Sequence, residues 1–112
     1  PFYYYYGSFS MQVRISTRHG ELSEATRKKI TEKVEKLQRF FERLMSIDVT
    51  VDLEKADEPK IEAVVTPEHK HDFVANHQSK DMFASVDHVV AKLEQQIKKY
   101  KEKIQDHNKK QD

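Results

Sequence analysis

This chain has no cysteine, only two glycines and no long apolar run among its 112 residues. Without cysteine it cannot form a disulfide, a thiolate zinc site or a cysteine nucleophile, which fits a reducing, cytoplasmic environment. No apolar run approaches the roughly 20 residues that span a bilayer, so we expect neither a membrane nor a secretory protein. Gly7 and Gly20 are isolated from each other, so there is no glycine-rich phosphate loop.

Signatures of a catalytic site are missing as well. Ser, His and Asp occur in no nucleophile motif. Asp48, Asp52 and Glu54 could be read as paired carboxylates, but an i, i+2 spacing is what the solvated face of a strand produces. We therefore predict that the chain is not an enzyme, has no catalytic residue and takes no small-molecule substrate.

Three histidines, His69, His71 and His77, lie near one another in the sequence. His71 and His77 share strand parity, so a zinc or iron site is conceivable. No Asp or Glu converges on all three, and scattered histidines on a hairpin are more often solvated surface. We therefore predict no metal site and no cofactor.

The first ten residues, PFYYYYGSFS, differ in composition from the rest of the chain. Four consecutive tyrosines fit neither an amphipathic helix nor an ordinary alternating strand, and Met11 can serve as an initiator. We interpret residues 1–10 as an appended leader, although an aromatic platform for stacking bases is the functional alternative. We expect one domain at 11–105 and a frayed tail at 106–112.

Apolar periodicity divides the domain into strands and helices. Alternation predicts four strands, around Val13 and Ile15 and over 47–54, 60–66 and 71–77. Apolar residues three and four apart predict one helix over 24–44 with Ser23 as N-cap, and a second helix capped by Ser79 or Asp81. The order βαβββα predicts an α+β fold, with a four-stranded, mostly antiparallel sheet and both helices on one face. We expect Phe83, Leu93 and Ile97 to pack with Ile30, Val34, Leu37 and Phe41.

Charge is segregated along the chain, although the net charge is only +1. Residues 24–44 carry seven Lys or Arg and four acids, residues 46–90 carry four and ten, and residues 92–112 carry seven and four. At about 100° per residue, each predicted helix has one basic flank and one more acidic flank, and the basic flanks fall at the same angle. Such a stripe suits a phosphate backbone, so polyanion binding is predicted.

The basic flanks are also consistent with two different roles. Lys and Glu on amphipathic helices serve solubility and i, i+4 pairing, as for Lys28 with Glu32 or Glu35 with Arg39. The chain could instead be a small protein interaction module whose basic helices meet an acidic partner surface.

Two stretches carry a family resemblance: KDMFASVDHVVAKLEQQIKKYKEKI at 80–104 and MQVRISTRHGELSEATRKKITEKVEKLQRFF at 11–41. Together they resemble the ribosome hibernation promoting factor family, also called the ribosome-associated inhibitor or sigma-54 modulation family. The most specific pieces are Asp81-Met82-Phe83 at the start of the last helix, Lys92-Leu93-Glu94, Gln96, Tyr100-Lys101 and the Ile15-Ser16-Thr17-Arg18-His19 motif. One departure is Gln95, where many relatives have Arg.

The resemblance implies a cytoplasmic protein that binds ribosomal RNA in the decoding region of the small ribosomal subunit. Occupancy there would block the messenger and transfer RNA sites in resting or stressed cells. The expected partners are the ribosome and, within it, the RNA and proteins of the small subunit. No membrane partner is expected. The RNA-binding residues implied by matching position are Arg18, Arg27, Lys36, Arg39, Lys92, Lys99 and Lys103. Lys29, on the basic flank of the first helix, is predicted to join them. Long members carry a separate dimerisation domain, so we expect a short-type member or an excised N-terminal domain.

Overall fold

A computed structural model describes residues 5–6, 9–40, 45–67 and 72–111, with side chains over 12–40, 46–67 and 72–103. The strands are β1 (Tyr5–Tyr6), β2 (Phe9–Arg18), β3 (Met45–Asp52), β4 (Lys60–Pro67) and β5 (Phe73–Gln78). The helices are α1 (Glu24–Val34), which continues as a 3-10 helix (Glu35–Phe40), and α2 (Met82–Gln111). No helix of the described residues is long and apolar enough to cross a bilayer.

The strands lie in the sheet in the order β1-β2-β3-β4-β5. β2 and β3 pair in parallel, with α1 in the connection between them, and the other neighbours are antiparallel. The predicted α+β fold with order βαβββα is therefore confirmed. The two-residue β1 is an addition that the sequence did not predict, because residues 1–10 were set aside. The pairing of β1 with β2 does not test whether residues 1–10 are an appended leader, so that interpretation stays a prediction.

The sheet has one apolar and one polar face because apolar and polar residues alternate along its strands. The apolar side of β3 is formed by Ile47, Val49 and Val51, each at most 1% exposed. The opposite face of the sheet carries polar groups such as the exposed Arg14–Asp48 ion pair, with 2.7 Å between Nε and Oδ1. Both helices therefore cover a single face, and the core lies between them and the sheet.

The predicted helix–sheet core is present. Leu93 and Ile97 of α2 join Ile30, Val34 and Leu37 in one buried cluster, against which Phe83 packs partly buried. The remaining member of the prediction, Phe41, lies outside the described residues.

The first helix begins as predicted and ends differently. Ser23 caps it, since its Oγ accepts a hydrogen bond from the Thr26 N–H at 3.1 Å. The prediction of one α-helix over 24–44 is wrong at Glu35–Phe40, which form a 3-10 helix, and residues 41–44 lie outside the described residues. Val34, Leu37 and Phe40 recur at i, i+3, and a 3-10 helix places residues at that spacing on one face. Leu37 is fully buried and Phe40 packs against the core.

Asp81 is the N-cap of α2. Its Oδ1 accepts a hydrogen bond from the Ala84 N–H at 3.1 Å, while Ser79 contacts the backbone of Asp81 from outside the helix. The frayed tail expected from Asp106 is helical as far as Gln111. Residues 82–111 contain neither Gly nor Pro, so no residue there breaks the helix.

Side chains from α2 reach the outer edge of β5, the last strand of the described sheet. Gln96 Nε2 donates to the Val74 carbonyl oxygen at 2.9 Å, and Lys92 Nζ donates to the Asn76 carbonyl oxygen at 3.3 Å. Val74 itself is 47% exposed and is the exposed large apolar side chain in the described part of the chain. The helix thus fastens to the sheet by hydrogen bonds as well as by core packing.

Candidate nucleic-acid interface

The two helices lie side by side and point in the same direction. Lys33 contacts Asp87, and further along both helices Arg39 contacts Glu94, each at 2.8 Å. From the first contact to the second, the residue numbers increase on both helices, so the two helices are parallel. Two parallel helices with basic flanks at the same angle must present those flanks in the same direction. The two basic flanks therefore do not face each other.

The basic flank of α1 faces the acidic flank of α2. We call this surface the interhelical strip; its cations are Lys29, Lys33, Lys36, Arg39 and Lys98. The Lys29 ammonium lies 4.2 Å from the centroid of the Phe83 ring, and the Lys98 ammonium lies 5.6 Å from that of Phe40. Asp87 and Glu94 are the acids that pair with this strip, and Lys36 is assigned to it by its angle on the basic flank of α1.

The basic flank of α2 faces away from α1, towards the edge of β5. Lys92, Lys99 and Lys103 form this outer strip, since at about 100° per residue they lie within about 40° of one another around the helix axis. Lys99 and Lys103 are exposed, and Lys92 is fastened to the Asn76 carbonyl oxygen. The two strips are separated by the solvent-facing side of α2, where Gln95 is exposed.

The cations best placed to meet phosphates are those without another partner. Lys36, Lys99 and Lys103 are exposed and form no ion pair or hydrogen bond with any residue that the structure describes. A free ammonium group can release its counterions to a phosphate chain without first breaking a protein contact. One such lysine lies on the interhelical strip and two lie on the outer strip.

Other residues predicted to bind RNA have structural contacts. Arg27 is half-buried, and its Nη1 donates to the Ile15 carbonyl oxygen at 2.9 Å, which ties α1 to β2. Arg39 pairs with Glu94 but keeps 65% of its side chain exposed, so its guanidinium remains accessible. Arg18 shares strand parity with Arg14 and so lies on the polar sheet face, opposite the helices. The structure therefore brings Lys29, Lys36 and Arg39 together, and separately Lys92, Lys99 and Lys103, but not Arg18 or Arg27.

Sequence reasoning missed the contribution of Lys98, which was placed on neither basic flank. At about 120° around α2 it lies beside Glu94 and Asp87, and it enters the interhelical strip only because α1 packs on that side. The parallel β2–α1–β3 connection was the available signal, since it determines the direction of α1 relative to α2.

A cluster of potential metal ligands lies at the C-terminal end of the parallel strand pair β2–β3. Ligand atoms of His19, Asp52 and Glu54 all lie within 4.8 Å of one another. Asp52 Oδ1 accepts hydrogen bonds from His19 Nδ1 and the Glu54 N–H, and these bonds lower the pKa of Asp52. Exposed acidic groups often cluster without a metal, so we assign none. The histidines first considered, His69 and His71, lie outside the described residues.

A groove of about 610 Å³ runs along α1 on the side away from the interhelical strip. Its charged lining consists of Glu24, Glu32 and Glu35 with Arg27 and Lys28. Partial burial raises the pKa of Glu35, and the nearby charge of Glu32 raises it further. With three carboxylates against two cations, this groove suits a polyanion less well than the two lysine strips do.

Removing the carboxylate of Glu94 should strengthen polyanion binding. The Glu94→Gln variant frees the Arg39 guanidinium and deletes a negative charge from the interhelical strip, which can add one phosphate contact. At 0.1 M salt one contact corresponds to roughly a 5- to 8-fold tighter complex. Because the Arg39 side chain is mostly exposed, the lost ion pair should cost at most about 1 kcal/mol of stability. RNA affinity measured by fluorescence anisotropy checks this, with Glu62→Gln on the polar sheet face as the matched control; equal effects of both variants would contradict it.

Residues 13–105 match a protein-family model described as Sigma 54 modulation protein / S30EA ribosomal protein. The match covers β3, β4, β5 and α1 completely, α2 as far as residue 105, and β2 from Val13 onwards.

Three similar proteins are each named ribosome hibernation promoting factor. The protein from Azotobacter vinelandii is 38% identical over 93 residues, which span 83% of this chain and 85% of that protein. That from Pseudomonas putida KT2440 is 35% identical over 95 residues, or 85% of this chain and 91% of that protein. That from Escherichia coli K12 is 29% identical over 97 residues, or 87% of this chain and all of that protein.

Two solved structures share the fold. The N-terminal domain of Thermus thermophilus Protein Y superposes with a TM-score of 0.72 at 22% identity, covering 80% of this chain and 99% of that one. A ribosomal subunit interface protein from Coxiella burnetii gives 0.64 at 22% identity, covering 81% and 98%. At this identity the likeness establishes the architecture of the sheet and its two helices.

Proposed function

Because the chain belongs to the Sigma 54 modulation protein / S30EA ribosomal protein family, we propose that it is a non-catalytic ribosome hibernation factor that binds the small ribosomal subunit. Its relatives named ribosome hibernation promoting factor support the hibernation role. Its ligand is ribosomal RNA, and it acts in the cytoplasm, where ribosomes are found.

The observation that carries the proposal is the pair of lysine strips on the helix side of the molecule. Lys36 on one strip and Lys99 and Lys103 on the other present ammonium groups that no described residue engages. Phosphate contacts from such groups supply much of the affinity of proteins for nucleic acids, and helix surfaces hold them in fixed positions. The polar face of the sheet, by contrast, carries the Arg14–Asp48 ion pair and the exposed Glu62, so cations there are met by carboxylates.

The proposed location is the decoding region, where the protein would occupy the messenger and transfer RNA sites and block translation under stress or in stationary phase. The residues proposed to contact RNA are Lys29, Lys36, Arg39, Lys99 and Lys103, with Lys92 positioned at the strand edge. Arg18, at the end of β2 on the polar sheet face, and Arg27, on the groove side of α1, are proposed as further contacts outside the two strips. The ribosome-binding unit is residues 11–105.

Ribosome binding should be seen directly in sucrose gradients. Protein beginning at Met11 should sediment with the small subunit at low salt, leave it as salt rises, and inhibit a translation extract under the low-salt condition. A matched experiment with the large subunit tests which subunit is recognised. Recovery only at the top of the gradient, with no inhibition, would contradict the proposal. Salt-dependent capture of purified ribosomal proteins without RNA would instead favour a protein interaction module.

A further inference from the structure

Two imidazole rings stack where β5 ends and α2 begins. The ring centroids of His77 and His88 lie 4.0 Å apart with the ring planes tilted by 37°. His77 is half-buried beneath the first turns of α2, and His88 is exposed on the outer side of the helix. Lys92 follows His88 by one helical turn, so the pair continues the outer strip towards the N-terminus of α2.

A chain of hydrogen bonds determines which nitrogen of His77 can take up a proton. The Ser79 hydroxyl donates to the Asp81 carbonyl oxygen at 3.0 Å, so it accepts from the Ser85 hydroxyl at 2.6 Å. Ser85 has then used its only proton, and its oxygen accepts from His77 Nδ1–H at 3.0 Å. Neutral His77 therefore carries its proton on Nδ1, and a second proton can be added at Nε2 without breaking this chain.

The charge of Lys92 acts on the pair from α2. Asp87, which precedes His88, is paired with Lys33 of α1, and on β4 the residue opposite His77 is the apolar Ile61. In sequence, Lys80 and Asp81 lie in the loop between β5 and α2. The Asp81 carboxylate caps Ala84. In the described part of the chain, no carboxylate is hydrogen-bonded to either imidazole. Desolvation lowers the pKa of His88 most, and the charges of His77 and Lys92 lower it further.

We propose that His77, His88 and Lys92 form a phosphate subsite at the end of the outer strip, which takes up protons when RNA binds. The inference rests on the proposed function and adds a pH dependence to it. Two stacked imidazolium rings next to an ammonium group repel one another, whereas a phosphodiester placed among the three neutralises that repulsion. Phosphate binding and protonation of the histidines therefore favour each other.

The direction of the pH effect follows from the two states of His88. In the free protein its pKa is below the ordinary value, and a bound phosphate raises it. RNA binding then takes up a proton between these two pKa values, so affinity rises as the pH falls through the bound pKa and levels off below the free one. Each unit by which binding raises the pKa strengthens binding by about tenfold at low pH.

The test measures affinity for purified small subunits at constant salt between pH 8 and pH 5.5. Wild type is compared with His88→Gln, which removes one exposed ring and leaves the serine chain in place. The ratio of wild-type to variant affinity should rise by about 5- to 10-fold over this range. Titration of the ribosome itself cancels in the ratio. His19→Asn, just after β2 and three strands across the sheet from β5, is the matched control and should follow wild type at every pH.

A second readout follows the histidine C2 protons by NMR, with and without a ten-residue oligouridine whose bases and phosphodiesters do not titrate in this range. The oligouridine should raise the pKa of His88. A ratio that stays constant with pH, or pKa values that do not change, would overturn the subsite while leaving the proposed function intact if wild type still binds. Absence of binding at every pH would overturn both.

Discussion

Replacing Lys36 and Lys99 together by Gln should weaken binding to the small ribosomal subunit by roughly 25- to 60-fold at 0.1 M salt. Each lysine is exposed, and neither is engaged by a described residue, so each is counted as one phosphate contact. One contact contributes about 0.7 to 0.9 to the slope of log K against log salt, so the double variant should flatten that slope by roughly 1.4 to 1.8. The fold should survive, because both side chains point away from the core.

The matched control for this variant is Lys55→Gln with Lys60→Gln. It makes the same change in net charge, but Lys55 lies in the turn between β3 and β4, and Lys60 begins β4 with its side chain on the polar sheet face, opposite the helices. The control should keep the wild-type slope. If the Lys36/Lys99 variant keeps both wild-type affinity and slope while its circular dichroism is unchanged, the helix strips do not bind RNA. The two single variants then divide the effect between the interhelical strip and the outer strip.

Leu93→Ala should destabilise the protein by about 2 to 5 kcal/mol, the usual cost of truncating a fully buried leucine. Leu93 has no exposed surface and lies in the cluster that joins α2 to α1 and the sheet. The loss includes both the transfer free energy of the deleted atoms and the cavity left behind.

Urea denaturation followed by circular dichroism measures the change in unfolding free energy. Val74→Ala, on the exposed side of β5, is the control and should change stability by less than about 0.5 kcal/mol. A similarly small change for Leu93→Ala would mean that the inner face of α2 is wrongly assigned.

The strands could be predicted from sequence because each has one face in the core. Ile47, Val49 and Val51 alternate with polar residues, and a pairing shifted by one residue would turn all three towards solvent. The family resemblance rested on local pieces of the two helices and on the Ile15–His19 motif at the end of β2, and the family match over residues 13–105 confirms it.

The end of the first helix could not be predicted in the same way. The spacing from Leu37 to Phe41 fits an α-helix, and that from Leu37 to Phe40 fits a 3-10 helix, so the sequence supports both. Over Glu35–Phe40 the structure adopts the 3-10 spacing, which places Phe40 beside α2, where it meets Lys98. Phe41 lies outside the described residues.

The sequence predicted which lysines form the basic flanks of the helices, but it did not predict how those flanks are arranged in the folded protein. Lysine flanks are visible on a helical wheel, but the direction in which each flank points depends on how the helices pack. Arg27 and Lys92 look like RNA ligands in sequence, yet each donates to a backbone carbonyl of a strand. Such contacts join residues 12 and 16 positions apart, and no local pattern encodes them.

The hydrogen bonds from α2 to the edge of β5 also limit how copies of this protein can associate. An uncovered edge strand offers its carbonyl and amide groups to any extended segment, which can add to the sheet and start aggregation. Here Gln96 and Lys92 already occupy two of the outward carbonyls, and an incoming strand would have to displace both. It would also meet the positive charge of Lys92, which repels an identical edge. The helix that carries the proposed RNA contacts thus also guards the sheet against strand addition at high protein concentration.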